Sequence, residues 1–245
     1  MRRAIMPSLD VGALDVTAPL AVDDDVRHYF AKVLRLRDGD AVEVLDGAGQ
    51  GVRGTWSSTE GGVLQAEAFT FASPLPPLII AQAMTRSTKL EEVVRRGTEL
   101  GAAAFWLFFA DRTQGRHELK PKDRARLERV AVDAARQSGR GTLPALVGPM
   151  SFAGLLQKLT GHEAPAFAGV VGTAPMSAAV NGALPRVQND GAVVVVGPEG
   201  GLSTDEIDAL TAQGVQGVGL GAHVMRTETA GPAALAVLQA ALGTM

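Results

Sequence analysis

The stretch Val193-Val194-Val195-Val196-Gly197-Pro198-Glu199-Gly200-Gly201 decides the fold of this chain. Four consecutive valines are typical of a strand that is buried on both faces, as in parallel sheets covered by helices. The glycines after them permit positive φ and let a ligand approach the backbone, because they carry no Cβ. Ser203-Thr204-Asp205-Glu206 then has the spacing of a capping box, which predicts a helix. The stretch therefore predicts a strand, a glycine-rich turn and a helix in an α/β domain.

A second glycine turn lies nearer the end of the chain. Leu220-Gly221 leads there into Met225-Arg226-Thr227-Glu228-Thr229. Glycines also close strand-to-helix turns for structural reasons alone, so one such turn would leave a ligand-free connection as an open alternative. Two turns of this kind in the last quarter of the chain favour one shared ligand site.

Composition sets limits on the class of protein. The chain has 245 residues, 46% of them hydrophobic and 20% charged, which is enough for one large or two modest domains with a buried core. No apolar run approaches the roughly 20 residues of a membrane-spanning helix. The basic start lacks the apolar region of a signal peptide. There is no cysteine, and the four histidines have no metal-ligand spacing. We expect a soluble cytoplasmic protein without a bound metal.

The pattern of apolar residues changes along the chain. Residues 1–72 contain short alternating runs broken by glycine turns, which predicts strands in a first domain. The prolines of residues 73–77 favour extended backbone and predict a linker. From residue 78 to 245 strands alternate with helices, which predicts an α/β domain with a mainly parallel sheet. Its predicted strands are 78–83, 105–110, 166–171, 192–196 and 215–220, and its closing helix is 232–242. Two earlier helices are predicted to end at Gly101 and Gly139.

Charge is unevenly distributed. The net charge is −3, yet residues 84–145 carry 13 Lys and Arg against 8 Asp and Glu, whereas residues 1–72 carry 7 against 11. A cluster of basic residues with few acidic neighbours is typical of a surface that contacts nucleic-acid phosphates. A solvated helix face is the open alternative. The cluster consists of Arg112, Arg116, Lys120, Lys122, Arg124 and Arg126.

Five motifs together resemble one enzyme family. GPEGGLSTDEI at 197–207 and LGAHVMRTETA at 220–230 are similar to the paired C-terminal signature of the SPOUT methyltransferases that methylate N3 of a uridine in 16S (small-subunit) ribosomal RNA. TELG at 98–101 and ARQSGR at 135–140 resemble two further motifs of that family. Val33-Leu34-Arg35 with Asp38-Gly39-Asp40 resembles a fifth. The motifs occur in the family's order over nearly the whole chain.

The resemblance implies a fold, a cofactor and partners. Residues 78–245 would form a SPOUT domain with a deep trefoil knot, and residues 1–72 a small PUA-like β-barrel that binds RNA. The cofactor would be S-adenosylmethionine, and the enzyme would act as a homodimer on the assembled small ribosomal subunit. Without the resemblance a knot would not be expected, since knots are very rare in proteins.

The resemblance also implies site residues. The cofactor would contact Val171, Gly172, Thr173, Gly197, Pro198, Glu199, Gly200, Gly201, Leu220, Gly221, Val224, Met225, Arg226 and Thr229. RNA would contact Arg35, Arg112, Arg116, Lys120, Lys122 and Arg140. The chain departs from the family at Gly172-Thr173, where His-Pro is frequent, and at His223, where arginine is usual.

Methylation at N3 requires the loss of a weakly acidic proton, so a base or a cation that stabilises the uracil anion is needed. Glu99 and Glu228 are the candidate bases, and Arg140 and Arg226 the candidate cations. Structural roles are the alternatives: ion pairing for Glu99 and Arg226, and capping of the last helix for Glu228.

Three other functions are alternatives to this one. A Rossmann oxidoreductase is disfavoured because no glycine follows residues 78–83 until Gly97. A non-catalytic RNA-binding assembly factor would share the basic cluster but would not need the glycine turns. Methylation of another RNA is the remaining alternative.

Overall fold

The computed structural model of the chain describes residues 2–15, 18–71, 73, 75–114 and 119–245. The chain divides into two compact units, Met1–Ser73 with Ala135–Leu143 and Pro74–Ala134 with Pro144–Met245. The first break falls in the predicted linker. Residues 135–143 group with the first unit, although the sequence pattern placed them in the second domain.

The first unit is built on a five-stranded sheet. Its strands are β1 (Arg2–Ile5), β2 (Leu20–Ala21), β3 (Ala41–Leu45), β4 (Gln50–Ser57) and β5 (Gly62–Thr70), in the order β1-β3-β4-β5-β2. β1 pairs with β3 in parallel, and the other pairs are antiparallel. Helix α1 (Asp24–His28) continues into one π-helical turn. The ring of Phe30 meets that of Trp56 edge to face at 5.3 Å in the core.

Residues 135–143 are joined to the first unit by hydrogen bonds. Arg136 Nη2 donates to the carbonyl oxygen of Ile5 at 2.8 Å, and its guanidinium lies 5.0 Å from the centre of the Tyr29 ring. The amide of Leu143 donates to the carbonyl oxygen of Gly47 at 2.7 Å. These long-range contacts have no local sequence signal, which is why the sequence pattern missed them.

The second unit contains a six-stranded sheet in which every pair is parallel, as predicted. The strands are β6 (Leu78–Ala83), β7 (Ala102–Phe109), β8 (Ala145–Ser151), β9 (Ala166–Gly169), β10 (Ala192–Val196) and β11 (Gln216–Val218), in the order β11-β9-β10-β6-β7-β8. The helices are α2 (Ser87–Glu99), α3 (Pro121–Ser138), α4 (Phe152–Thr160), α5 (Met176–Asp190), α6 (Thr204–Ala212) and α7 (Thr227–Ala241), and the last residues of α3, 135–138, belong to the first unit.

Two apolar layers cover the two faces of this sheet. Ile80 and Val194 pack in a cluster with residues of α2, α5 and α7, whereas Ile79 and Val195 pack in a second cluster with residues of α4 and α6. Neighbouring residues of β6 and β10 thus enter opposite layers, because side chains alternate across a strand. Both strands are fully buried, as the run of valines predicted.

Local signals predicted some elements and misplaced others. β6 and β10 have the predicted bounds, the capping box of Ser203 and Glu206 is present, and Gly101 and Gly139 follow α2 and α3 with φ of 80° and 74°. The closing helix was predicted to begin at Pro232, but it begins at Thr227 and contains the proline. β8, α4 and α5 were not predicted. Glycine and proline interrupt the apolar pattern in β8 and α5.

No helix in the described part of the chain is long and apolar enough to cross a membrane.

Candidate active site

A cavity of about 560 Å³ lies in the second unit, among the segments that follow β9, β10 and β11. Its volume is within the roughly 300–1,000 Å³ range of small-molecule sites. In open parallel sheets, ligands bind beyond the carboxyl ends of the strands, where the strand order reverses direction. The cavity here lies beyond the carboxyl ends of the neighbouring strands β11, β9 and β10, on one side of the point between β10 and β6 where the strand order reverses.

Most residues predicted to contact a cofactor line this cavity. They are Val171, Gly172, Thr173, Gly197, Glu199, Gly200, Gly201, Leu220, Gly221, Val224 and Met225. Pro198, Arg226 and Thr229 do not. The lining also includes Val170, Ala222 and His223 from the same predicted segments, and Gly169, Val196, Gly219, Thr227 and Ala230, which the sequence did not predict. His223, which stands where the family usually has arginine, is exposed at this cavity.

The glycine turn, residues 197–201, bends sharply after β10. Gly201 has a φ of 72°, which only glycine adopts without strain, and a Cβ there would meet no protein atom within 4 Å. The turn therefore requires glycine for its backbone conformation, while the space beside Gly201 is open. The capping box of α6 follows directly.

Thr227 connects the glycine turn to the start of α7. Its hydroxyl donates to the carbonyl oxygen of Gly197 at 2.8 Å and accepts a hydrogen bond from Gln82 Nε2 at 2.9 Å. Gln82 is fully buried in β6. A glutamine within an apolar strand was the available sequence signal for this contact, because a buried polar group requires a partner.

Glu199 connects the same turn to α2. Its Oε1 accepts hydrogen bonds from the Thr85 hydroxyl at 2.6 Å and from Lys89 Nζ at 2.9 Å. Burial raises the pKa of the Glu199 carboxyl, but the hydrogen bonds from Thr85 and Lys89 outweigh it. The pKa therefore lies below its ordinary value of 4.5, and the group is a carboxylate at neutral pH.

Arg112, predicted to contact RNA, contacts the glycine turn. Its Nη1 donates to the carbonyl oxygens of Gly200 at 3.0 Å and Leu202 at 3.3 Å. The preceding residue strengthens this connection, since the Asp111 amide donates to Glu206 and the Ser203 hydroxyl donates to the Asp111 carboxylate, both at 2.8 Å. The loop after β7 therefore contacts both the glycine turn and the capping box of α6 that follows it.

The rest of the basic cluster has mixed roles. Arg124 donates to the carbonyl oxygens of Leu146 and Gly148, and Arg126 forms an ion pair with Glu91 at 2.9 Å, so neither is unpaired as the sequence suggested. Lys120 and Lys122 are exposed and have no ion pair within the described residues. Arg116 lies outside the described residues.

Two candidate catalytic residues lie at the start of α7. Glu228 is 13% exposed, and its Oε2 has no hydrogen-bond partner in the described structure. Lys89 Nζ is 3.9 Å from Oε2, and Arg226 Nη1 is 4.0 Å from Oε1. The Arg226 side chain is 83% exposed. Glu99, the last residue of α2, is exposed, does not line the cavity and has no ion pair within the described residues.

Two further candidates belong to the first unit. Arg140 Nη2 donates to the Thr142 hydroxyl at 3.3 Å, and burial lowers the pKa of its guanidinium to about 10, so it remains charged at neutral pH. Arg35 is exposed and has a φ of 51°. No group of three or more His, Cys, Asp or Glu that could hold a metal ion occurs among the residues that the structure describes.

Comparison with known proteins assigns the family. The family model of an RNA methyltransferase domain matches residues 72–239, and that of an RNA methyltransferase PUA domain matches residues 22–53. The chain belongs to this RNA methyltransferase family. The cavity lies entirely within the segment that matches the methyltransferase domain.

Curated members of the RNA methyltransferase family cover most of the chain. The ribosomal RNA small subunit methyltransferase E of Synechocystis is 36% identical over 221 residues, which are 88% of this chain and 71% of the relative. The protein of the same name from Mycobacterium tuberculosis is 32% identical over 226 residues, 90% of this chain and 86% of the relative.

Solved structures share the complete fold of this methyltransferase. The Neisseria gonorrhoeae ribosomal RNA small subunit methyltransferase E, crystallised with S-adenosyl methionine, is 25% identical with a TM-score of 0.80 over 98% of this chain and 97% of that one. A Legionella pneumophila protein described as a putative methyltransferase is 21% identical with a TM-score of 0.77, which shows the fold alone.

Proposed function

We propose that the chain transfers a methyl group from S-adenosylmethionine to N3 of a uridine in 16S ribosomal RNA. The observation that carries the proposal is the cavity between two glycine-rich turns within the RNA methyltransferase segment. The Neisseria structure with S-adenosyl methionine supports the cofactor, and the relatives named ribosomal RNA small subunit methyltransferase E support the substrate.

The cavity residues suit a ligand with apolar and polar parts. Val170, Leu220 and Met225 offer apolar contacts, and the glycine turn presents main-chain groups and the carboxylate of Glu199. S-adenosylmethionine would supply an activated methyl group, so the protein needs mainly to hold it in line with the nucleophile. The cofactor residues that line the cavity would do so, while Pro198 would act through the backbone of the glycine turn and Thr229 through that of helix α7.

We propose that Glu228 accepts the N3 proton and that Arg226 stabilises the negative charge left on the uracil. Glu228 is mostly buried, and within the described structure its Oε2 lies 3.9 Å from Lys89 Nζ but accepts no hydrogen bond, so it is able to accept a proton. The exposed guanidinium of Arg226 would stabilise charge on the uracil oxygens. Glu99 is not given this role, because neither it nor its immediate chain neighbours line the cavity, whereas Glu228 and Arg226 flank Thr227, which does. Arg140 is proposed to contact RNA rather than the reacting base.

RNA binding is proposed for both units. Lys120, Lys122 and Arg112 would contact phosphates in the second unit, and Arg35 and Arg140 in the first, where a PUA-like β-barrel over residues 1–72 would take part. Arg116 is included on the sequence alone. The family resemblance supports a deep trefoil knot in the SPOUT domain 78–245, a homodimer, and action in the cytoplasm on the assembled small subunit.

Nucleoside mapping tests the substrate. Small subunits from a strain that lacks this protein should have lost 3-methyluridine at one position, and incubation with the purified protein and S-adenosylmethionine should restore it. Loss of a methyl group elsewhere would instead support a methyltransferase for another position or RNA. A protein that fails to bind S-adenosylmethionine in calorimetric titration would be a non-catalytic RNA-binding factor.

A further inference from the structure

The first turn of α2 carries a cation where a helix disfavours one. Lys89 is in this turn, which contains no acidic residue. Because the N-terminus of a helix has a partial positive charge, a lysine there is unfavourable unless anions are close. Two carboxylates from other elements provide them: Glu199 Oε1 lies 2.9 Å and Glu228 Oε2 3.9 Å from Lys89 Nζ. The position of Lys89 is thus explained by its two carboxylate partners rather than by its own helix.

The two carboxylates belong to two different sides of the cavity. Glu199 lies in the glycine turn and lines the cavity, and Glu228 directly follows Thr227, which lines it from α7. Lys89 does not line the cavity itself. Its ammonium group therefore connects the glycine turn to the start of α7 without lining the cavity. Thr85 adds a second hydrogen bond to Glu199.

We propose that Lys89 is a positioning residue of the methyl-donor site, which fixes the glycine turn relative to α7 through Glu199 and Glu228. The proposal rests on the proposed function, since it concerns the same cavity. Exposed ion pairs contribute little because solvent screens them. This bridge is different: Lys89 and Glu199 are each less than a third exposed, and Glu228 less still. The hydrogen bond from Lys89 to Glu199 is charge-assisted, a kind that is among the stronger ones, whereas Glu228 is held as an ion pair at 3.9 Å.

The decisive measurement compares cofactor affinity with folding stability. Lys89→Met removes the charge and keeps the aliphatic stem, so the dissociation constant for S-adenosylmethionine should rise about tenfold in calorimetric titration. Lys89→Arg should retain most of the affinity, because a cation can still reach Glu199. A role in folding alone would lower the unfolding temperature of Lys89→Met and leave the affinity of the folded protein unchanged.

Arg96→Met is the matched control on the same helix. It breaks the exposed ion pair between Arg96 and Glu92, which are 3.0 Å apart, and touches no cavity residue. Its affinity for S-adenosylmethionine should equal that of the wild type.

A double-mutant cycle with Glu199→Gln adds a second readout. Because both substitutions weaken the same bridge, the dissociation constant of the double variant should rise by less than the product of the two single increases.

The outcomes separate this inference from the proposed function. If the wild type does not bind S-adenosylmethionine, the proposed function fails. If the wild type binds, the inference is overturned by unchanged affinity in Lys89→Met, by an equal loss in Arg96→Met, or by fully multiplicative effects in the cycle. Should Lys89→Met not fold, Lys89→Gln keeps a hydrogen-bonding group without the charge, and unchanged affinity in that variant would equally overturn the inference.

Discussion

The glycine turn and the loop after β9, residues 170–175, line the same cavity but are held differently. Thr227 and Lys89 contact the glycine turn from α7 and α2, and Arg112 contacts it from the loop after β7. In the β9 loop, the side-chain bond of Thr173 is to Val170 within the same loop, and Val171 is 77% exposed. Long-range side-chain contacts therefore hold one side of the cavity, whereas backbone hydrogen bonds to the segment of β11 hold the other side, which presents exposed side chains such as Val171.

The largest expected effect of breaking this arrangement is that of Thr227→Val. The change deprives the Gly197 carbonyl and the buried Gln82 amide of the hydroxyl that joins them. Loss of such a buried partner costs about 1–3 kcal/mol. Chemical denaturation should show this decrease, and the affinity for S-adenosylmethionine should fall as well.

Thr211→Val is the control for that variant, because the Thr211 hydroxyl bonds only a carbonyl of its own helix and is exposed. Equal stability of the two valine variants would show that the contact between Thr227 and Gly197 does not hold the turn.

The second prediction compares two glycines with the same backbone strain. Gly201 and Gly214 have φ of 72° and 79°, and in both a Cβ would meet no protein atom within 4 Å. Alanine should cost roughly 1–2 kcal/mol of folding stability at either position. Only Gly201→Ala should also weaken binding of S-adenosylmethionine, because only Gly201 lines the cavity. Calorimetric titration in which both variants bind like the wild type would remove the glycine turn from the site.

The third prediction concerns the double role of the basic cluster. Arg112→Ala removes one hydrogen bond to Gly200 of the glycine turn and one to the adjacent Leu202, and should cost about 0.5–1.5 kcal/mol, with a matching loss of cofactor affinity. Lys120→Ala, in the same cluster but without such bonds, should weaken RNA binding and lower its salt dependence by about one unit of slope, with no change in cofactor affinity. If both variants leave cofactor binding intact, Arg112 is an RNA contact alone.

The smallest effect on stability is expected in the β9 loop. Val171→Ser changes an exposed side chain, so the free energy of unfolding should change by no more than about 0.5 kcal/mol. Val196→Ser, which lies in the same cavity but is buried at the end of β10, should be clearly destabilising. Thermal unfolding of the two variants checks this difference. Similar unfolding temperatures would mean that the two sides of the cavity are equally constrained.

Local patterns account for what the sequence predicted. The valine run predicted β10, the spacing of Ser203 and Glu206 predicted a capping box, and the glycines predicted sharp turns at one cavity. Each signal lies within a few residues of the structure it specifies, and buried strands and caps require particular residue types.

The contacts that hold the site could not be predicted in this way. Arg112 is 88 residues from Gly200, Lys89 is 110 from Glu199, and Gln82 is 145 from Thr227. Such pairs are brought together by the order of strands in the sheet. For Arg112, a basic residue in a polar loop has the same local pattern whether it binds a phosphate or a carbonyl oxygen.

The grouping of Ala135–Leu143 with the first unit limits how the N-terminal module can be exchanged between proteins. A fragment that ends at residue 73 would leave the carbonyl oxygens of Ile5 and Gly47 without Arg136 and Leu143. Transplanting residues 1–73 alone would therefore graft an incomplete module, and supplying residues 135–143 as a separate peptide should complement it. In modular terms the sequence after the linker carries a piece of the first unit, so an exchange of that unit must include both pieces.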